Sequence, residues 1–310
     1  MIESEPVRLS RREALALLQV SFSAEVKLVN LFATVRDGNG SIVKDLKQDD
    51  FEVYEDERLQ TIRYFSPETN VPLRLGLVVD ISGSMARRVG DERDAARRFF
   101  RQVLRPEQDR AFLVRFDRGV DVLQRLTGLE KELDRAAGEL GKLPGALQGE
   151  LRRPPEWVRC GGASSIRDAV FLSCDQILRK ERGRKALILL SDGLDNGSCM
   201  ALRAVVQVAH QTDTILYTLL FDDPQYGRAG APPLPSGRAL MEQLANRTGG
   251  RMFRPGIDTT VAKAFASIEE DLRNQYAIGY TSDRPSPGFH QLRVVAKGFT
   301  VQTREGYYGG

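Results

Sequence analysis

Apolar and polar positions along the chain fall into three regimes. From Glu25 to Val35 they alternate, with Val29, Leu31, Ala33 and Val35 on one face and Val26, Leu28 and Phe32 on the other, which predicts a strand. Asp37-Gly38-Asn39-Gly40 turns the chain, and Asp50–Glu55 and Leu59–Phe65 read as two more strands joined at Asp56-Glu57-Arg58. After Pro72 the pattern changes to strands alternating with helices, the mark of a parallel α/β sheet. Near-continuous apolar runs at Leu75–Val79, Ala111–Phe116, Arg184–Asp192 and Thr214–Phe221 predict buried strands, and Val120–Leu126 follows the second of these across a turn at Asp117–Gly119. Helical spacing appears at Asp91–Leu104, Leu129–Leu140, Ser165–Lys180, Ala201–Ala209, around Leu240, Leu244 and Ala245, and at Thr259–Asn274. Strand alternation then returns at Gln275–Thr281, Leu292–Ala296 and Thr300–Arg304, ahead of the tail GYYGG.

The amino-terminal strands bury too little surface to stand alone, and must pack on another part of the chain. A chain of 310 residues has room for one large domain and a smaller one.

Composition narrows the chemistry. The 45 basic and 42 acidic residues leave a net charge of +3, too even to argue for nucleic acid or a membrane surface. No run is long and apolar enough to predict a transmembrane span. His210 and His290 are the only histidines, which makes zinc or Ser-His-Asp chemistry hard to build, and each reads as a surface or hydrogen-bonded structural residue. Three cysteines make neither a disulfide framework nor a zinc pattern. Cys174 falls on the apolar face of its helix. Cys160 and Cys199 can pair in an oxidising compartment or stand as separate thiols. The basic stripe of Arg93, Arg97, Arg101 and Arg105 reads as a solvated face, since acidic residues are interleaved with it. Trp157 reads as core packing.

The chemistry-bearing stretch is GLVVDISGSM from Gly76, a buried-type strand that stops at Asp80 with Ser82 and Ser84 beyond it. Three oxygen-bearing side chains spaced two apart around Gly83 suit a hard cation such as Mg²⁺, which takes about six oxygen ligands at ~2.0–2.1 Å and readily keeps waters. An ordinary Ser/Gly turn after a buried strand fits the same residues. Two distant stretches bear on that choice: RKALILLSD ends a second strand at Asp192-Gly193, and GGASSIRD offers Ser164 and Ser165 at a helix start.

Together DISGSM, the Ser164 loop and the SDG ending at Gly193 resemble the metal-ion-dependent adhesion site of von Willebrand factor A domains. The resemblance implies a metal site of Asp80, Ser82, Ser84, Ser164 and Asp192, in which the serines hold Mg²⁺ or Mn²⁺ directly and the two aspartates anchor it through hydrogen bonds or waters. The middle position is usually Thr; aligning on Asp168-Ala169 puts Ser164 there, which keeps the ligating oxygen and loses a methyl. It also implies that the Ala111–Leu126 hairpin supplies a single antiparallel edge strand.

Blocks outside that site, DFEVYED at Asp50, TGGRMFRP at Thr248, LRNQYAIGY at Leu272 and REGYYGG at Arg304, resemble the bacterial VWFA-related family named for acidobacterial proteins, whose members are exported. The expected architecture is a Rossmann-like A domain at residues 70–274, with a mostly parallel sheet and helices on both faces. It is inserted in a small antiparallel β-sandwich formed by residues 24–69 and 275–310. Residues 1–23 read as a signal-like or disordered segment: Ser10-Arg11-Arg12 before Ala14–Leu18 resembles a twin-arginine export signal, and a short amphipathic helix fits it equally.

The function these observations imply is metal-dependent protein binding outside the cytoplasm, without turnover, with an Asp or Glu of a protein partner completing the metal's coordination. The alternatives are a metal-dependent phosphoester hydrolase using Asp117 or Asp195 as base, and a scaffold in which the metal only stabilises the fold. The chain shows neither a phosphate loop nor a nucleophile elbow.

Overall fold

In the amino-terminal part, apolar alternation becomes four strands, β1 (Leu28–Arg36), β2 (Phe51–Glu55), β3 (Arg58–Gln60) and β4 (Ile62–Glu68). The expected apolar face of β1, Val29, Leu31, Ala33 and Val35, is buried. The strand expected over Leu59–Phe65 is instead cut at Thr61. β3 stays with β2 in a hairpin whose central residues, Asp56 and Glu57, have φ of 47° and 63°, the left-handed pair that suits the twist of antiparallel strands. β4 leaves for another sheet. The computed structural model describes residues 28–68, 71–85, 89–142, 149–150, 164–221 and 237–309. The segment 1–23, Trp157 and Cys160 lie outside the described residues.

From Leu73 onward strands and helices alternate as the pattern predicts. They run β5 (Leu73–Asp80), α1 (Val89–Val103), β6 (Arg110–Phe116), β7 (Val120–Thr127), α2 (Glu130–Gly138), β8 (Gly149–Glu150), α3 (Ile166–Leu172), β9 (Arg184–Ser191), α4 (Leu202–Gln211), β10 (Thr214–Leu220), α5 (Gly237–Thr248), β11 (Met252–Phe253) and α6 (Val261–Arg273). The helix expected over Ser165–Lys180 keeps its helical form only to Leu172; a π turn at Ser173–Ile177 and a 3-10 turn at Leu178–Lys180 complete it.

The strands make one seven-stranded sheet in the order β11-β10-β9-β5-β6-β7-β8. All neighbours from β11 to β6 are parallel, and β7 is antiparallel to β6 as expected. It is not the edge, because the two-residue β8 pairs outside it. Helices cover both faces of this Rossmann-like sheet. Leu77, Phe99, Ile188 and Phe265 belong to the core on one side, and Val78, Phe112, Ile166 and Leu187 to the core on the other. This follows from the two-residue side-chain period of a strand covered twice.

The carboxyl-terminal segment supplies β12 (Gln275–Thr281), β13 (Gly288–Ala296), β14 (Thr300–Gln302) and β15 (Gly306–Gly309). β15 forms where the sequence shows only a tail. With β1–β4 these strands make two four-stranded antiparallel sheets, β14-β1-β12-β4 and β15-β13-β2-β3. One shared core of Leu31, Val35, Phe51, Val53, Tyr276, Ile278, Leu292 and Val294 lies between them.

Charged side chains stitch this β module to the α/β part. Asp271, buried at the end of α6, pairs with Arg36 of β1 and with Arg251. Arg304 bonds both Asp213, at 2.7 Å, and the carbonyl of Asn30, at 2.8 Å, and within the α/β part Arg273 pairs with buried Asp109. Buried carboxylates of this kind are tolerated only when paired.

Candidate metal centre

The chain leaves β5 for β6 on one side and later returns to place β9 on the other. That reversal opens a crevice at the carboxyl ends of β5 and β9, where ligands of open α/β sheets bind. Asp80 is the last residue of β5 and its side chain is fully buried there. The chain turns immediately: the Ser82 amide donates to Asp80 Oδ1 at 2.9 Å, and the Met85 amide donates to the Ser82 carbonyl at 2.9 Å. This turn brings the hydroxyls of Ser82 and Ser84 to 3.3 Å from each other.

A second segment arrives at the start of α3, where the Ser164 hydroxyl donates to Asp80 Oδ2 at 3.3 Å across 84 residues of sequence. The third comes from β9. Its last residue, Ser191, donates to the same Oδ2 at 2.6 Å and accepts the Gly193 amide at 2.9 Å. Asp192 follows Ser191 at the strand end, half-buried, with its Oδ1 accepting the Leu194 amide at 3.0 Å. Of the sequence-predicted residues, Asp80, Ser82, Ser84 and Ser164 thus form one connected group, and Asp192 is joined to them through its charge on Asp80.

Burial pushes the Asp80 carboxyl above its ordinary range; hydrogen bonds from Ser191 and Ser82 oppose that, and the Asp192 charge adds to it. Among the described residues, the main influences on Asp80 include no cationic side chain. Two carboxylates and several hydroxyls therefore share a crevice whose buried floor is Asp80 and whose more open side is Ser84, Asp192 and exposed Gly83. An oxygen-only donor set short of positive charge suits a hard divalent cation.

Sequence reasoning missed Ser191. Its neighbour in the SDG motif was visible, but the function of a hydroxyl one residue earlier depends on β9 lying beside β5. The clamp under the site was missed too. Asp195 Oδ2 accepts from the Arg167 side chain at 2.8 Å and from the Ser198 hydroxyl at 2.9 Å, while Asp168 Oδ1 accepts the amides of Cys199 and Met200 at 3.0 Å. Asn196 and Gly197 bond the Ser164 backbone. The loop after β9 is in this way tied to the first turn of α3, which fixes Ser164 relative to Asp192. Asp195 is nearly fully buried in that clamp, and Asp117 is an exposed turn residue that accepts the Gly119 amide.

Residues 75–194 match the family model of the von Willebrand factor type A domain. The chain carries a von Willebrand factor type A domain. The match begins in β5 and ends just past Asp192, so the A domain's matched span contains all five predicted site residues. The blocks that resemble the bacterial VWFA-related family lie outside it.

Solved structures of similar shape include the conserved hypothetical protein BatB from Bacteroides thetaiotaomicron, 13% identical over 64% of this chain and 96% of that one, with a TM-score of 0.47. The vWF domain of the type V pili tip protein Mfa5 from Porphyromonas gingivalis is 13% identical over 64% of this chain and 94% of that one, with a TM-score of 0.43. Proximal thread matrix protein 1 from the mussel byssus, with a zinc-occupied MIDAS motif, is 12% identical over 71% of this chain and 50% of that one, with a TM-score of 0.47. No curated protein matches the chain.

Outside the site, Cys174 is buried and free, as its helical position predicts, and Cys199 is disulfide-bonded. Among the described residues, no helix is long and apolar enough to cross a membrane.

Proposed function

We propose that Asp80, Ser82, Ser84, Ser164 and Asp192 hold one divalent cation, Mg²⁺ or Mn²⁺, and that the A domain binds a protein partner through an acidic side chain at that ion. The observation that carries this reading is the convergence of oxygen donors from the β5 and α3 segments on buried Asp80, with Asp192 beside them. A hard cation held there supplies an electrophilic point for a carboxylate oxygen. The serines bring oxygen without charge, so these five residues offer the ion only two carboxylates. Ser191 and the Ser82 amide hold Asp80 in orientation, and the Asp195 clamp holds Ser164.

No turnover is required by this arrangement. The base that a hydrolase would need is not supported at Asp195, which is committed to Arg167 and Ser198. We place the protein outside the cytoplasm. The bonded Cys199 supports that placement, because disulfides persist in oxidising compartments. Residues 24–69 and 275–310 are proposed to act as one β module that flanks an A domain of residues 70–274.

Titration calorimetry with Mg²⁺ on the wild type, Asp80→Ala and Ser82→Ala tests the site, with circular dichroism to monitor the fold. Binding is expected to disappear in both variants while the fold persists; undiminished affinity in both removes the site. Capture of a partner from extracytoplasmic extract with Mg²⁺, repeated with EDTA, tests the use. Substituting the partner's contacting acid by Asn or Gln should weaken binding to the level EDTA produces, and the two losses should not add, since they remove the same bond.

A further inference from the structure

A second group of chelating side chains stands in the β module, where the β2–β3 turn meets β13. Glu55, Asp56 and His290 each present one ligand atom, and those atoms all lie within 4.8 Å of one another. The sequence argues against nitrogen-ligated metals from the scarcity of histidine, and 234 residues separate Asp56 from His290. The fold nevertheless brings one histidine to two carboxylates.

The hydrogen bonds fix which atoms face inward. His290 Nε2 lies 2.8 Å from the Ser286 carbonyl oxygen, which can only accept, so Nε2 carries a hydrogen. Nδ1 is then the ring atom that faces Asp56 Oδ2 at 2.8 Å and Glu55 Oε1 at 3.5 Å. Three electron pairs aimed at one another repel unless a cation lies among them, and that cation is either a proton on Nδ1 or a metal ion.

Each of the three side chains is also braced from behind. Glu55 Oε2 accepts from the Tyr280 hydroxyl at 2.5 Å and the Tyr307 hydroxyl at 3.3 Å, and its Oε1 accepts from Ser282 at 2.6 Å. Asp56 Oδ1 accepts the Gln291 amide at 2.9 Å. His290 is held by the Ser286 carbonyl and stacks on the Tyr307 ring, with centroids 5.1 Å apart. A carbonyl on the far nitrogen of the histidine and donors on the far oxygens Glu55 Oε2 and Asp56 Oδ1 are the kind of hydrogen bond that orients the ligands of metal sites, while Ser282 donates to the inward Oε1 itself. Glu55 and His290 are almost wholly buried, whereas the Asp56 side chain is 50% exposed and gives the cluster a path to solvent.

We propose that Glu55, Asp56 and His290 form a second cation site, one that takes a divalent transition metal of the zinc class. One imidazole nitrogen with two carboxylate oxygens is a donor set for Zn²⁺ rather than for Mg²⁺. The 2.8 and 3.5 Å separations bracket the roughly 3.3 Å between neighbouring ligands of a tetrahedral ion bound at ~2.0–2.1 Å. The half-exposed Asp56 side chain gives a fourth ligand a route in from solvent. A metal here ties the β2–β3 turn to β13 and, through Tyr307, to β15, so it stabilises the module by binding only its folded form.

The test uses the full chain carrying Asp80→Ala, which silences the A domain's own candidate site, and adds Zn²⁺ alone. Calorimetry should give one bound equivalent, and the Tm of the chain should rise with Zn²⁺. Adding His290→Gln should remove both. Asp56→Asn, at a half-exposed position, serves as a second variant should His290→Gln fail to fold, and should lower the affinity at least tenfold. Co²⁺ in place of Zn²⁺ should give visible absorption bands that vanish with the same variants. Zinc uptake unchanged by either variant would mean adventitious surface binding and overturn the proposal. No uptake in Asp80→Ala would overturn it as well, and would leave a proton as the cation on Nδ1.

Discussion

Ser191 Oγ donates to Asp80 Oδ2 at 2.6 Å, joining the last residues of two neighbouring parallel strands under the crevice. Ser191 also accepts the Gly193 amide, so it holds the carboxylate with one side of its hydroxyl and the loop carrying Asp192 with the other. Ser191→Ala should therefore loosen both. A hydrogen bond to a charged, buried group is worth about 1.5–3 kcal/mol, and that is the expected loss in a urea titration. A variant with an unchanged midpoint would show that Asp80 finds another donor.

The site loop owes its course to a close approach of two glycines. Gly193 has φ of +78°, and a Cβ on it would lie 2.4 Å from the Gly237 carbonyl oxygen at the start of α5. Gly40 has a similar φ of +82° with open space around it. Gly193→Ala should cost more than the about 1–3 kcal/mol of backbone strain that Gly40→Ala isolates, and it alone should weaken Mg²⁺ binding. Equal unfolding midpoints and equal metal affinities in the two variants would make the close approach irrelevant.

β12 lies between β1 and β4, and β13 lies between β2 and β15. A chain ending at Asn274 loses the central partner of β1, β2 and β4, and leaves β3 paired with β2 alone. Amide exchange of residues 28–65 should then rise toward unfolded rates. Unchanged protection there would mean that the amino-terminal strands are held by the α/β part alone.

His210 gives the fold an acid limit. Burial holds its pKa down at about 4, against an ordinary 6.5; its Nε2 lies 2.8 Å from the Arg247 carbonyl, and Arg304 and Arg247 disfavour a further positive charge. Nδ1 is buried without a partner, so a proton there has nothing to receive it. Phe289 and Tyr308 of the β module pack on the ring, and the Arg247 carbonyl and, more weakly, Asp213 favour the charge. The unfolded chain takes up this proton first, so stability is full above pH 6.5 and falls as pH drops toward 4. The loss by this route is about 3 kcal/mol. His210→Gln, which keeps a donor for the Arg247 carbonyl, should flatten that part of the stability profile measured by urea unfolding between pH 4 and 7. A variant with the wild-type slope would assign the acid sensitivity to other groups.

Features set by neighbours in sequence were legible. The buried run of β5, the helical spacing of α1 and α6 and the alternation of β1 and β12 are local periodicities, and they locate strands and helices without knowledge of what packs where. The Asp80, Ser82 and Ser84 group was visible for the same reason, because one tight turn contains it. Leu59–Phe65 shows where local pattern stops. Its apolar spacing runs on through Thr61, yet Gln60 ends a strand of one sheet and Ile62 starts a strand of the other. That choice is made by the partners, β2 on one side and β12 on the other, which lie on opposite faces of a shared core. Ser191 and His290 were equally out of reach. A serine closing an apolar strand and a histidine in an alternating one carry no local mark of function. What they do depends on strand pairing and sheet packing across 111 residues in one case and 234 in the other, and only the tertiary structure decides it.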